Sequence, residues 1–151
     1  MADRVVYTKE AAIAGASVIA LSIADSGASP PVVAKLRLFD ETLTVDQDTT
    51  EAALAAAETT LVGYPVGGYD ITDFAAPVFA PLGGVVITSN IINVAYASGT
   101  PVTIGGYWIE DASTPTGKDR YCVVFDPKRT LAAVGDGFPI VVQMGYGANA
   151  V

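Results

Sequence analysis

Residues 101–125 read PVTIGGYWIEDASTPTGKDRYCVVF, and the parsing of this stretch decides the fold. Val102, Ile104, Tyr107 and Ile109 sit among Thr103, Gly105, Gly106 and Trp108, a β-branched and aromatic run that suits a pleated strand. After Glu110, the segment Asp111 to Asp119 collects Asp, Ser, Thr, Pro, Gly and Lys, which satisfy their own backbone in turns or supply unusual dihedrals. Arg120 to Phe125 reads as a second strand. The two runs make a hairpin whose loop is longer than a two-residue turn, and which gathers Tyr107, Trp108, Tyr121 and Phe125.

Outward from the hairpin the chain keeps the same character. Leu131 to Val134 and Phe138 to Met144 read as the last strands, divided by a turn at Gly135-Asp136-Gly137. On the other side, Val85 to Ser89 and Ile91 to Ala97 are strand-like pieces around Asn90, while Ala76-Pro77, Ala80-Pro81 and Gly83-Gly84 exclude long regular elements before them. Val33 to Phe39, VAKLRLF, alternates as a half-exposed strand, with Lys35 and Arg37 on one face and Leu36 and Leu38 on the other. Leu43 to Val45 prolongs it past a turn at Asp40-Glu41. Glu51 to Glu58, EAALAAAE, is the strongest helical stretch, with Asp48, Thr49 and Thr50 as candidate N-caps. Leu61 to Tyr64 reads as extended, Pro65 to Gly68 as a bend, and Tyr69 to Phe74 as extended again. Seven or more short strands with one short helix predict a mainly β fold, a single-domain sandwich or barrel-like body over residues 30–151.

Residues 1–29 read as an N-terminal arm. Ala11 to Ala24 carries no charge, but it is rich in Ala and Ser, its basic neighbours Arg4 and Lys9 are cancelled by Asp3 and Glu10, and it falls short of the roughly 20 residues that span a bilayer. Ile19, Leu21 and Ile23 alternate as in a strand, while Ala12, Ile13, Ala16 and Ile19 also line one face of a helix, so both conformations stay open. Ser26 to Pro31, SGASPP, breaks the chain. An uncharged arm is costly to leave in water, at roughly 25 cal/mol per Å² of apolar area, and is expected to reach a neighbouring subunit or partner through Ile13, Val18, Ile19, Leu21 and Ile23. Tyr107 and Trp108 of the hairpin are the other interface candidates.

Composition points to assembly. The chain has 151 residues, 51% hydrophobic and only 16% charged, against roughly a quarter charged in ordinary soluble domains. Sixteen acidic and eight basic residues leave a net charge of −8, which opposes attraction to nucleic acid or an anionic membrane. An apolar homotrimer is the expectation. The single cysteine, Cys122, lies mid-strand and reads as a small buried hydrophobe.

The residues favour no enzyme and no cofactor. Without histidine a Ser-His-Asp or Cys-His arrangement cannot form, and one cysteine makes a zinc site a poor fit. Glu110-Asp111 and Asp46/Asp48 are carboxylate pairs in loop contexts; Asp46, Asp48 and Glu51 lack the glycine and spacing of an EF-hand. The paired glycines at 67–68, 83–84 and 105–106 precede no helix that could hold a phosphate. Tyr64, Tyr69, Tyr96, Tyr107, Trp108 and Tyr121 offer a sugar-stacking platform, against which strand aromatics more often fill a core or an interface.

Lys35-Leu36-Arg37-Leu38-Phe39 with an acidic, threonine-rich turn after it, the Ala-rich piece running through Glu58 to Gly63-Tyr64, and Gly106-Tyr107-Trp108-Ile109 before a second strand resemble a group of small tailed-bacteriophage virion proteins. The likeness covers about Ala34 to Met144. It implies a capsid decoration, or cement, protein on the virion head that binds the major capsid protein and stabilises contacts between its copies. A tail or fibre component binding host-surface carbohydrate is the alternative.

Overall fold

The computed structural model describes residues 3–6, 34–71, 78–79, 85–111 and 118–146. They form two antiparallel sheets, not closed into a barrel, arranged as a sandwich-like body. The larger sheet has the order β1 (Arg4–Val6), β7 (Lys118–Leu131), β6 (Val102–Asp111), β2 (Ala34–Asp40), β3 (Tyr69–Ile71). The smaller has the order β4 (Val78–Phe79), β5 (Val85–Ala95), β8 (Gly137–Tyr146). The only helix among the described residues, α1 (Glu51–Ala56), is too short to cross a membrane.

The expected hairpin is β6 and β7, paired from Val102↔Leu131 to Asp111↔Lys118. β7 runs past Phe125, where the sequence reading ended it, to Leu131. The Asp126–Pro127 bond, which is cis, falls where the register shifts between Ile104 and Gly106, so the proline sits in an interruption of the ladder and takes no rung from it. Leu131 therefore closes β7, and residues 132–136 are a turn rather than the start of a strand. Asp136 shapes that turn by accepting the N–H groups of Ala132 and Ala133 at 2.7 and 2.8 Å, bonds that hold its carboxyl below the usual range.

The two pieces expected around Asn90 are one strand, β5, continuous through a bulge between Thr88 and Ile91. Ser89 repairs the bulge: its hydroxyl donates to Asn90 O and accepts the Val142 N–H of β8. Leu61 to Tyr64 is not extended. It turns at Gly63, whose φ of +96° an L side chain rarely adopts. Leu43 to Val45 likewise forms no strand.

Strand alternation divides the apolar residues between two cores. Leu36, Leu38, Tyr107, Ile109, Val123 and Phe125 face the smaller sheet and meet Ile92, Val94, Ile140 and Val142. The opposite face of the larger sheet places Phe39, Trp108 and Cys122 together, roofed by Val45 and by Leu54 of α1. Thr50 starts that helix, its hydroxyl accepting from the Ala53 N–H at 3.3 Å. Trp108 and Phe39 ring centroids are 6.5 Å apart.

The start of the leader belongs to the larger sheet. Arg4, Val5 and Val6 pair with Val124, Val123 and Cys122. Asp3 accepts the Asp126 N–H at 3.1 Å and pairs with Arg129 at 3.2 Å, while the Arg129 guanidinium lies over Phe125 and Phe138, 4.4 and 4.9 Å from their centroids. The rest of the arm, with Ile13, Val18, Ile19, Leu21, Ile23 and the Pro30-Pro31 break, lies outside the described residues.

Candidate functional site

Charge is concentrated around Arg37. Strand alternation puts it on the α1 side of β2, between Lys35 and Phe39, with Trp108 directly across on β6. Its Nη1 is 3.4 Å from Glu58 Oε2, and its Nε is 2.7 Å from Glu110 Oε2 and 3.3 Å from Gly67 O. The Nε–H points at the Gly67 carbonyl, so Glu110 is held by attraction between charges rather than by an aligned hydrogen bond. The guanidinium also stands 5.8 Å from the Trp108 ring centroid.

Tyr64 completes this cluster by an unusual use of its hydroxyl. β3 pairs with β2 only over Ala34 to Leu36, and beyond it the 57–59 segment takes over: Ala57 O accepts the Asp40 N–H and the Thr59 N–H donates to Leu38 O. Between them the Leu38 N–H meets the Tyr64 hydroxyl at 3.2 Å, and that hydroxyl donates to Glu58 Oε1 at 2.8 Å. Burial pushes the Tyr64 phenol well above its ordinary value, and the contacts with Glu58 add to this, so the group stays a donor. A side chain thus fills a gap in a strand edge. Tyr64→Phe is expected to cost about 1–2 kcal/mol in urea denaturation, because it strips partners from Leu38 N–H and Glu58 together. A change within error would show that water replaces the hydroxyl freely.

One guanidinium is shared between two carboxylates, of which Glu58 also accepts from the Tyr64 hydroxyl. The acidic loop is equally committed: Asp46 Oδ1 accepts the Asp48 N–H and the Thr49 hydroxyl, and Thr49 Oγ1 accepts the Asp46 N–H. Among the described residues no group of three His, Cys, Asp or Glu side chains could hold a metal ion.

The two hairpin residues read as interface candidates lie inside this chain's own packing: Tyr107 is 7% exposed and Trp108 1%. Tyr107 contacts Phe125 in the main core, and Trp108 fills the core under α1. Tyr96 is buried, and Tyr64 and Tyr69 are half-buried against each other in an edge-on pair at 5.5 Å. The Tyr121 side chain is outside the described residues. Strand parity alone could not separate a ring facing a core from one facing a partner, because both faces of the larger sheet carry apolar residues.

The exposed apolar surface is elsewhere. Among the described residues Val62, Val66, Ile91, Val134 and Val141 are the large exposed hydrophobic ones. Val62 and Val134 belong to turns fastened at one end of the sandwich, where Ala97 N–H donates to Val62 O and Gly135 N–H to Tyr96 O. Ile91 and Val141 are cross-strand neighbours on the outer face of the smaller sheet. Neither pair was singled out from the sequence, although a run such as PIVVQM, apolar in both parities, signals a strand covered on both faces.

No family model matches the chain, and no curated protein or solved structure matches it.

Proposed function

We propose that this chain is a structural component of a tailed-bacteriophage virion, a decoration protein that binds the outer surface of the head and stabilises contacts between major capsid proteins. The observation that carries this reading is the distribution of charge and apolar surface. The cationic centre at Arg37 is closed by its own carboxylates, while uncharged strands form the smaller sheet, with Ile91 and Val141 exposed on its outer face, and Val62 and Val134 stand exposed in turns at one end. Such a surface suits many weak contacts repeated over a lattice, where avidity replaces a single strong site. The resemblance of the KLRLF, GY and GYW segments to small virion proteins supports the same role. The reading requires no catalytic residue and no cofactor.

The alternative, a tail or fibre component that stacks host-surface carbohydrate on its tyrosines, draws less support, since Tyr96, Tyr107 and Trp108 are buried. Mixing the purified protein with undecorated heads and sedimenting the particles tests the proposal. Saturable co-sedimentation and a higher temperature of head disruption are expected. Heads that neither retain the protein nor gain stability would overturn it.

A further inference from the structure

The smaller sheet differs from the larger in one respect that packing within the chain does not require. β4, β5 and β8 contain no Asp, Glu, Lys or Arg, whereas every strand of the larger sheet carries at least one, among them Arg4, Lys35, Asp70, Glu110 and Lys118. Ile92, Val94, Ile140 and Val142 face inward and are buried in the main core. The outward face includes Ile91, 61% exposed, and Val141, 42% exposed, side by side across the ladder.

β8 is also an edge. Among the described residues it pairs as a strand with β5 alone, and it is ten residues long, while the other sheet-edge strands, β1, β3 and β4, have three, three and two. Natural sheets blunt such edges with charge, bulges or brevity, because an uncharged edge templates another strand. Pro139 blunts this edge at its own position only. The Val142 N–H turns towards β5, so by alternation position 139 and the Val141 N–H turn outward, where the proline removes only one outward donor.

We infer that β8 is a self-association edge, pairing antiparallel with β8 of a second copy across a two-fold axis to make one continuous six-stranded sheet. Two observations select a second copy. Among the described edges of this chain only a second β8 matches its ten residues, the others having three, three and two. Two copies of a chain of net charge −8 repel one another, and they meet with least repulsion through strands that carry no charge, whereas a different partner could be met with the acidic surplus. Joining like faces places Val141 beside Val141 or Gln143 of the partner subunit and merges the two Ile91–Val141 patches. This edge specifies two copies, in place of the three expected from composition, and the inference does not depend on the virion reading.

Sedimentation velocity on the full chain over a wide concentration range is the test, together with V141K and V141E, whose side chains sit on an exposed position. The wild type is expected to form a dimer. Each variant alone is expected to dissociate at least about tenfold more readily, with an unchanged thermal melt, and an equimolar mixture of the two is expected to recover dimer, because opposite charges then meet across the axis. Amide exchange at Val141 should slow as the dimer fills. A monomeric wild type, a trimer, or variants that associate as well as the wild type would each overturn the inference. So would a Val141 amide already protected in the monomer, which would mean that the chain covers its own edge.

Discussion

Trp108→Ala is expected to lower the unfolding free energy by about 3–5 kcal/mol, the largest effect of any single truncation proposed for this chain. The indole is 1% exposed and is the largest fully buried side chain, and the core it fills is small: Phe39, Val45, Leu54 and Cys122 are its other buried members. A core of that size has few neighbours able to relax into the space left behind, so the cavity cost adds to the lost transfer energy. The loss also reaches beyond the cavity, because Leu54 anchors α1 over this ring and Arg37 lies across it. For a domain of this length the melting temperature should fall by roughly 10 °C. Trp108→Phe keeps most of the apolar volume and is expected to cost less than half as much. Urea denaturation of both variants checks the argument; equal, small losses would mean that the indole is not packed as described.

Gly106→Ala is expected to cost about 3 kcal/mol, at the upper end for overpacking. A Cβ there would stand 2.0 Å from the Val123 carbonyl oxygen and 2.5 Å from Phe39 Cζ. The ring could turn aside, but the carbonyl belongs to the neighbouring strand, and relieving the contact means widening the β6–β7 ladder at its register shift. Gly99→Ala is the control, since a Cβ at Gly99 meets nothing within 4 Å. Thermal melts of the two alanine variants should differ by several degrees. If they coincide, β6 and β7 have room that the structure does not show.

Much of this architecture is written in local chemistry. The β-branched and aromatic runs on either side of residues 111–119 specify the central hairpin, Thr50 and the alanine-rich segment specify α1, and the alternation of VAKLRLF specifies β2. These signals are local because each depends on propensity or period within a few residues. The ends of strands were less legible. β7 continues through Pro127 because its partner strand shifts register at that point, and β5 continues through Asn90 because Ser89 bonds to Val142, more than fifty residues away. Neither compensation is visible in the residues flanking the break.

The candidate site lay further out of reach. That Arg37 is polar and Trp108 aromatic is evident from the sequence, but only tertiary structure sets Glu58, Glu110 and the Gly67 carbonyl around the one and closes α1 over the other. In a sheet covered on both sides, each parity of each strand faces apolar neighbours, so period-two patterning cannot tell a core from an interface. The sequence by itself determined the β class, the hairpin, the helix and the charge deficit. The tertiary structure decided which aromatic rings are used up in packing and which uncharged strand is left at an edge, because both depend on contacts between residues remote in the chain.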